Sequence, residues 1–348
     1  MTLPDLSRLD DARMHLLVLG PGTGESVILR VPPGDWLVVD SFRRGDSGHV
    51  AARTLRRLRV RPRAVALTHP HEDHADGFVE LIDLQDDGGI VGCYEPLLRA
   101  DAWRGSPDAA RQLEQDAAES AIAAIARAWR RTEAQWPLHA DAPICTIGEA
   151  TVRVVSPDDA AHEAVMGRAR ADLNELSAAM LVEWRSTALL LGADLTVPGW
   201  RRVAARSQNA DLAIADGYKV AHHGSSNAHH EIALGAKAAP ARGLILTPFS
   251  AGRKVPSFAD DKDIDQLLRH GSSLNLTTAG VVTPPLGPDR TATRAAIRDA
   301  ATGIPFGALT ATFEDSPADP DEAWILLSIA EDGTREISAG AAAVLIES

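Results

Sequence analysis

The chain has few cysteines, no long apolar run and a shortage of basic charge. Its 348 residues include two cysteines, Cys93 and Cys145, and no CxxC pair, which argues against both a disulfide framework and a thiolate metal site. Any metal must therefore bind to histidine and carboxylate groups. No span approaches the roughly 18 consecutive apolar residues of a membrane helix, and the N-terminal residues lack the basic and apolar regions of a signal peptide. We expect a cytoplasmic protein without a membrane partner.

Basic residues are outnumbered by acidic ones, 35 to 48, and the formal net charge is −13. Such a charge repels polyanions and argues against a broad nucleic-acid surface, although a local basic groove stays open. Arginines cluster at 53–63 and 127–131, a pattern typical of solvated helix faces. Hydrophobic residues make up 45% of the chain, so the core can be large.

Short apolar runs mixed with helical patterns predict one α/β domain of layered type over residues 1–348. The runs at 14–20, 26–31 and 36–41 predict strands, and the helical pattern after them leads into another strand at 64–69. The stretch GPGTGES contains Gly20, Gly22 and Gly24, but a strand pattern follows it where a dinucleotide fold needs a helix. A hairpin turn is the better interpretation.

Further patterns complete the predicted organisation. An Ala-rich stretch predicts one long helix over 107–135, which gives a helical insertion at about 105–136. Residues 271–306 are rich in turn formers. Two late runs, GALTATFE and AWILLSIA, predict a C-terminal strand extension at about 305–348.

The strongest chemical signal is LTHPHEDHADG at 67–77. His69 and His71 are two residues apart, so an extended backbone directs both side chains to one face, and Pro70 between them disfavours a helix. Asp73 and His74 follow where the chain turns into a predicted helix. Four potential metal ligands therefore converge at a strand end.

A second histidine cluster, KVAHHGSSNAHH, covers 219–230. His222 and His223 again follow an apolar run. Adjacent residues of an extended segment point to opposite faces, so we expect only one of the pair to bind metal directly and favour His222. His229 and His230 are expected to face solvent at a helix start.

Asp40 and Asp194 each close an apolar run, and an acid at such a position either caps the next turn or binds metal. Taken together, these residues resemble the metallo-β-lactamase fold superfamily. Its HxHxDH motif matches His69 to His74, and its strand-end aspartates match Asp40 and Asp194. The last histidine motif matches the pair at 222–223. The stretches GPGTGES and AHHGSS are most similar to the soluble hydrolase domain of the bacterial DNA-uptake competence channel.

The resemblance implies a four-layer αββα sandwich and a site for two Zn²⁺ ions, with Mn²⁺ as the alternative. One ion would bind His69, His71 and Asp194; the other would bind Asp73, His74, Asp194 and His222. Asp40 would orient a ligand histidine, and Lys219 would bind an anionic leaving group. Most members of the family have a further histidine between the first motif and the bridging aspartate. Here that interval contains only His139 and His162, and neither follows a predicted strand.

The resemblance also implies a hydrolase whose nucleophile is a hydroxide held between the ions. We expect a phosphodiesterase or nuclease acting on a small or single-stranded nucleic-acid substrate. A carboxylic ester, thioester or lactone hydrolase is the first alternative, and a non-catalytic metal-binding partner module is the second. Whether copies of the chain associate into a homo-oligomer stays open.

Overall fold

The structure is a computed structural model of the chain. It describes residues 9–20, 24–44, 48–99, 103, 106–168, 171–209, 212, 215–235, 243–249, 255–257, 262–270, 273–277, 323–339 and 343–347. Gly22, the run GALTATFE and most of the turn-rich stretch at 271–306 lie outside these residues. Within the described part of the chain, every helix is too short or too polar to cross a bilayer.

Two eight-stranded sheets contain the strands of the described residues. The first sheet has the order β15-β14-β1-β2-β3-β4-β5-β6, and the second has the order β16-β13-β12-β11-β10-β9-β8-β7. The strands are β1 (Arg13–Leu19), β2 (Ser26–Val31), β3 (Asp35–Val39), β4 (Ala64–Leu67), β5 (Ile90–Cys93), β6 (Gln135–Pro137), β7 (Cys145–Ile147), β8 (Ala150–Val154), β9 (Met180–Trp184), β10 (Thr187–Leu191), β11 (Gly217–Lys219), β12 (Gly243–Leu246), β13 (Ser273–Leu276), β14 (Trp324–Ala330), β15 (Arg335–Ala339) and β16 (Val344–Glu347).

Helices cover the outer face of each sheet. They are α1 (Val50–Leu58), α2 (Glu72–Ala75), α3 (Phe78–Leu84), α4 (Pro107–Leu113), α5 (Asp116–Ala128), α6 (Asp159–Met166), α7 (Val197–Ala205), α8 (Glu231–Leu234) and α9 (Asp263–Leu268). The four-layer α/β sandwich predicted from the sequence is confirmed.

Alternation along the strands builds the layers, because successive side chains of a strand point to opposite faces. Leu16 of β1 and Leu189 of β10 belong to one buried cluster between the two sheets. Their neighbours face outward: Leu17 packs with α1, α3 and α5, whereas Leu190 packs with α7 and α9. Each sheet is buried on both faces, which explains its nearly continuous apolar runs.

The prediction of one helix over 107–135 is wrong. Two helices, α4 and α5, occupy this stretch, because Gln115 adopts an extended conformation and becomes the N-cap of α5. The last predicted helical residue, Gln135, instead begins β6, which pairs in parallel with β5. The Ala-rich pattern gave no signal for this break, since Gln115 has an ordinary helix propensity.

Strands near the C-terminus are integrated into both sheets. β14 pairs antiparallel with β1 over seven residues as the second strand from one edge of the first sheet, and β16 pairs with β13 at the edge of the second. β13 lies at the start of the stretch that the sequence marks as turn-rich. The first pairing places β14 next to the N-terminal strand β1.

Candidate metal centre

The residues singled out by the sequence meet where four strands end. β3 and β4 run in parallel in the first sheet, as do β10 and β11 in the second, so each pair opens its carboxyl ends at one edge. Asp40 follows β3 and His69 follows β4, whereas Asp194 follows β10 and His223 follows β11. Both halves of the histidine pattern therefore reach one place.

Four side chains form the centre of the site. Asp73, His74, Asp194 and His223 each offer one donor atom, and these atoms all lie within 4.8 Å of one another. His74 Nε2 lies 3.4 Å from Asp194 Oδ1, and His223 Nε2 lies 3.5 Å from Asp73 Oδ2. His74 Nε2, His223 Nε2 and Asp194 Oδ1 are buried and make no hydrogen bond. Buried polar atoms normally have a bonding partner, so these three unpaired atoms indicate that the site binds a further atom or ion.

Asp40 holds two of the histidines in orientation. Its carboxylate accepts hydrogen bonds from the Thr68 amide at 2.8 Å, the Thr68 hydroxyl at 2.6 Å and His74 Nδ1 at 2.8 Å. Because the Thr68 hydroxyl donates to Asp40, it must accept from His69 Nδ1, 3.1 Å away. His69 Nε2 is therefore left with a free lone pair, and so is His74 Nε2 when that ring is neutral.

One ring nitrogen of His69 and one of His71 face each other beside this centre. His69 Nε2 lies 3.1 Å from His71 Nδ1, and the ring of His69 lies 4.2 Å from that of His74, centroid to centroid. The far side of the His71 ring reaches Gln112 Oε1 at 3.0 Å. The extended geometry expected around Pro70 thus directs both histidines inward.

The structure places His223, rather than His222, in the central cluster. His223 is 2% exposed, and its Nδ1 donates to the carbonyl of Thr247 at 2.9 Å. His222 is more exposed; its Nδ1 donates to Asn227 Oδ1 at 2.9 Å and its Nε2 lies 3.8 Å from Asp194 Oδ2. Both histidines approach the same oxygen, Asp194 Oδ2, with Nε2, since that of His223 lies 3.7 Å from it.

The backbone explains this arrangement. His222 and His223 both adopt left-handed conformations, with φ of 48° and 52°, so the rule for extended segments does not apply to them. Asp40 and Ala193 are also left-handed, with φ of 60° and 45°. Non-glycine residues rarely adopt this conformation, and it concentrates at functional sites. A close approach at Gly192 completes the turn, because a Cβ there would lie 2.9 Å from the Ala221 nitrogen.

Charge in the cluster is balanced between carboxylates and imidazoles. Burial alone would raise the pKa of Asp194, but His223 and His74 outweigh burial and hold that pKa well below its usual range. Burial would lower the pKa of His74, but Asp194, Asp73 and Asp40 raise it well above its usual value. Burial, together with His74 and His71, lowers the pKa of His69 well below its usual value, so His69 stays neutral.

Lys219 occupies a different position from the substrate-binding one expected for it. The side chain is fully buried, and its ammonium pairs with the carboxylate of Glu25 and donates to the Val220 carbonyl at 2.8 Å. Glu25 Oε2 also lies 3.9 Å from His223 Nδ1. The ion pair therefore lies behind His223, in the protein interior. Sequence reasoning overlooked Glu25, because this residue lies inside the glycine-rich stretch.

The glycine-rich stretch serves the site through Gly24. A Cβ at Gly24 would overlap both Phe42 Cβ and the backbone oxygen of Asp73. The next residue donates its amide to that same oxygen at 3.1 Å. The turn at 24–25 therefore packs directly on the loop that contains Asp73.

Other histidines have partners elsewhere. His139 stacks on Tyr94 and reaches Asp159 at 3.2 Å, and His162 packs edge-on against Trp103. Neither fills the place of the further histidine expected from the family. His229, expected to face solvent, is partly buried and bonds the Gly224 carbonyl at 3.0 Å. His230, also partly buried, caps α8 by accepting from the Ile232 amide.

The donor set fits a divalent cation. Imidazole nitrogens and carboxylate oxygens are the ligands that suit Zn²⁺ and Mn²⁺, and no thiolate is present in the cluster of described residues. The unpaired atoms of His74, His223 and Asp194 face one another, as the ligands of one ion do. The described residues thus contain a candidate metal-binding cluster.

Residues 19–137 match the family model described as Metallo-beta-lactamase superfamily. This span contains the first sheet from β2 to β6 and the loop from His69 to His74. The two sheets with their outer helices are consistent with the metallo-β-lactamase fold. The matched span stops before Asp194 and the histidines at 222–223, so the structure alone places those residues beside the HxHxDH loop.

Searches among known proteins gave distant structural similarities. The metallo-β-lactamase fold protein YhfI from Bacillus subtilis is 16% identical, with a TM-score of 0.40 over 68% of this chain and 86% of YhfI. A metallo-β-lactamase from Cronobacter sakazakii, a mutant of its HARLDQ motif, is 17% identical, with a TM-score of 0.35 over 58% of this chain and 75% of that one. A diphosphatase from the PhnP family is 13% identical, with a TM-score of 0.37 over 67% and 85%. No curated protein matches the chain.

Proposed function

We propose that this protein is a metal-dependent hydrolase that cleaves phosphodiesters with the help of two divalent cations. The observation that carries the proposal is the shared orientation of four histidines. His69, His74, His222 and His223 each bind an acceptor or hydroxyl through Nδ1. Nε2 of the last three faces Asp194, and Nε2 of His69 faces His71. Such pairing on the far side of the ring is how proteins fix metal-binding histidines.

The geometry favours two ligand sets that share Asp194. Asp73, His74 and His223 would hold one ion with Asp194, since their donor atoms already lie within 4.8 Å of one another. His69 and His71 would hold the other, with their facing nitrogens 3.1 Å apart. His222 Nε2, 3.8 Å from Asp194 Oδ2, would supply the nitrogen that the family's further histidine provides elsewhere.

Two bound cations would lower the pKa of a water between them and would neutralise charge on the attacked and departing oxygens of a phosphodiester. The chain's own residues supply the rigid frame for this chemistry. Asp40 fixes the rings of His69 and His74, the Thr247 carbonyl fixes that of His223, and buried strands hold all three. Zinc is the proposed metal, and manganese is the alternative.

The proposed substrate is small or single-stranded. A net charge of −13 disfavours a broad duplex-binding surface, whereas a short phosphodiester needs to reach only the cations. The similarity of GPGTGES and AHHGSS to the competence-type hydrolases supports a nuclease within this class. Because Glu25 neutralises Lys219 in the interior, the cations would carry most of the attraction for an anionic substrate.

The test compares two substrate classes with added Zn²⁺ or Mn²⁺. We expect turnover of bis-p-nitrophenyl phosphate and of short single-stranded oligonucleotides, and little turnover of p-nitrophenyl acetate, thioesters or lactones. Turnover of the acyl substrates alone would replace phosphodiesters by the ester alternative. Two equivalents of bound metal without any turnover would favour the non-catalytic partner module.

A matched pair of variants separates the site from a general effect of losing a histidine. His223→Ala should lose bound metal and activity together, because it removes one of four clustered donors. His139→Ala should change neither, since His139 packs on Tyr94 outside the cluster. Full metal content in His223→Ala, measured by elemental analysis, would contradict the assignment.

A further inference from the structure

Gln112, a residue of α4, lies against a histidine of the site. The helix begins with Ser106 as N-cap, whose side chain accepts from the Ala109 amide, and with Pro107 in its first turn. Both features are common at helix starts, and the last turn of this helix contains Gln112. The two residues are 41 positions apart in the chain, and their contact is a hydrogen bond of 3.0 Å between His71 Nε2 and Gln112 Oε1.

The orientation of the Gln112 amide is fixed by its other contacts. Its Nε2 donates to the backbone oxygens of Ala171 at 3.1 Å and of Asp108 at 3.3 Å. Backbone oxygens only accept hydrogen bonds, so the nitrogen of this amide must face them and the oxygen must face His71. An amide oxygen also only accepts. His71 must therefore carry its proton on Nε2.

This proton leaves a lone pair on His71 Nδ1. His69 also has a lone pair facing inward, because its Nδ1 donates to the Thr68 hydroxyl. Two imidazole lone pairs thus meet 3.1 Å apart, an arrangement that needs a positive centre between them. Without Gln112, the His71 ring could carry its proton on Nδ1 and donate to His69, which would close this position to a cation.

We propose that Gln112 is a positioning residue that holds His71 in the tautomer whose Nδ1 binds the ion shared with His69. The inference rests on the proposed function for its metal, and it gives α4 a role in the site. Outer partners of metal-binding histidines contribute about 10- to 100-fold to metal affinity. The effect should be confined to the ion bound by His69 and His71, because Gln112 contacts neither His74 nor His223 in the interactions described above.

The experiment uses three variants of the full chain. Gln112→Met keeps the length of the side chain and removes the acceptor. Gln112→Glu keeps an acceptor for His71 Nε2. Ser106→Ala removes the N-cap of α4 and so weakens the helix without touching His71.

The first measurement is the tautomer of His71 in metal-free protein, read from long-range ¹H–¹⁵N spectra with His71→Gln to identify the signals. We expect the Nε2-protonated form in the wild type, in Gln112→Glu and in Ser106→Ala, and its loss in Gln112→Met. An Nδ1-protonated His71 in the wild type would overturn the proposal.

The second measurement is stepwise Zn²⁺ affinity, determined by competition with a chromophoric chelator. Gln112→Met should weaken one ion by about 10- to 100-fold and leave the other within about twofold, with recovery in Gln112→Glu. Equal affinities in Gln112→Met and wild type, or equal weakening in Ser106→Ala, would overturn the proposal. A wild type that binds no ion would instead refute the proposed function, and the tautomer would still decide the role of Gln112.

Discussion

Asp40 offers the sharpest test of the site, because Asp40→Asn changes one atom of a buried group that joins two histidines. Asparagine tolerates the left-handed backbone found at this position, so the change leaves the main chain unstrained. Its oxygen can still accept from the Thr68 amide. Its nitrogen, however, takes the place of Oδ2, which accepts from the Thr68 hydroxyl at 2.6 Å and from His74 Nδ1 at 2.8 Å in the wild type; the hydroxyl can rotate to accept, but the ring N–H cannot. His74 must then move its proton to Nε2 and lose the lone pair that faces Asp194.

The magnitudes follow from the hydrogen bonds and from linkage. Loss of one charge-assisted hydrogen bond costs about 2 kcal/mol in the metal-free protein. For 348 residues, an unfolding entropy of about 2.1 cal/mol/K per residue converts this cost to a fall in Tm of about 3 °C. Metal at about 1,000 times Kd stabilises the wild type by about 4 kcal/mol, or about 6 °C. A roughly 30-fold weaker affinity halves this gain to about 3 °C.

The assay is thermal unfolding in a chelator and in buffered Zn²⁺, with Ser26→Ala as the matched control. The Ser26 hydroxyl donates to the backbone oxygen of Asp40 at 2.8 Å, so its removal weakens the same buried region and spares the carboxylate. Ser26→Ala should lower Tm by about 1 to 2 °C in both conditions and keep the full gain from metal. If Asp40→Asn also keeps the full gain, Asp40 does not control the tautomer of His74 and the reasoning fails.

Three further predictions concern the surroundings of the site. Lys219→Met should lower the free energy of unfolding by about 3 to 5 kcal/mol in urea titrations, because it leaves Glu25 buried and unpaired; the double variant with Glu25→Leu should recover most of this loss, and no recovery would contradict the buried-pair interpretation. Gly24→Ala should destabilise the fold by about 1 to 3 kcal/mol and weaken metal binding, because its Cβ would displace Phe42 or the Asp73 backbone; unchanged metal affinity would show that the turn does not support the loop. Chelation should slow neither folding nor secondary-structure formation but should remove the rise in Tm that bound metal gives. A chelated protein with the same Tm as the metal-loaded protein would argue against any structural cation.

The layers of the fold were predictable because their signal is local and repeated. In strand runs such as RMHLLVL, successive side chains point to two buried faces. This apolar pattern does not depend on which strands lie beside the run. The break between α4 and α5 was not predictable, since Gln115 carries no turn signal. β13 was also hidden, because Ser273 to Leu276 become a strand through pairing with β12 and β16. Elements that depend on a distant partner leave little trace in a local pattern.

The same distinction applies to the site. The HxHxDH loop could be located from sequence because its ligands are neighbours in the chain. The roles of His222 and His223 depend on their own left-handed backbone conformations. The sequence gives little sign of these, because the neighbouring glycine, Gly224, comes only after them. The partners that orient the rings lie still further away: Thr247 is 24 residues from His223, and Gln112 is 41 residues from His71.

These distant partners decide more of the chemistry than the ligands themselves. A histidine binds a cation only through a nitrogen that lacks a proton, and the proton's position is set by the acceptor on the opposite side of the ring. Here the acceptors come from four separate parts of the fold: Asp40 after β3, Thr247 after β12, Asn227 beside α8 and Gln112 on α4. A change in any of these parts can therefore alter one histidine without touching the metal ligands. The fold prepares each nitrogen separately, so the two proposed ion sites should be separable by mutation.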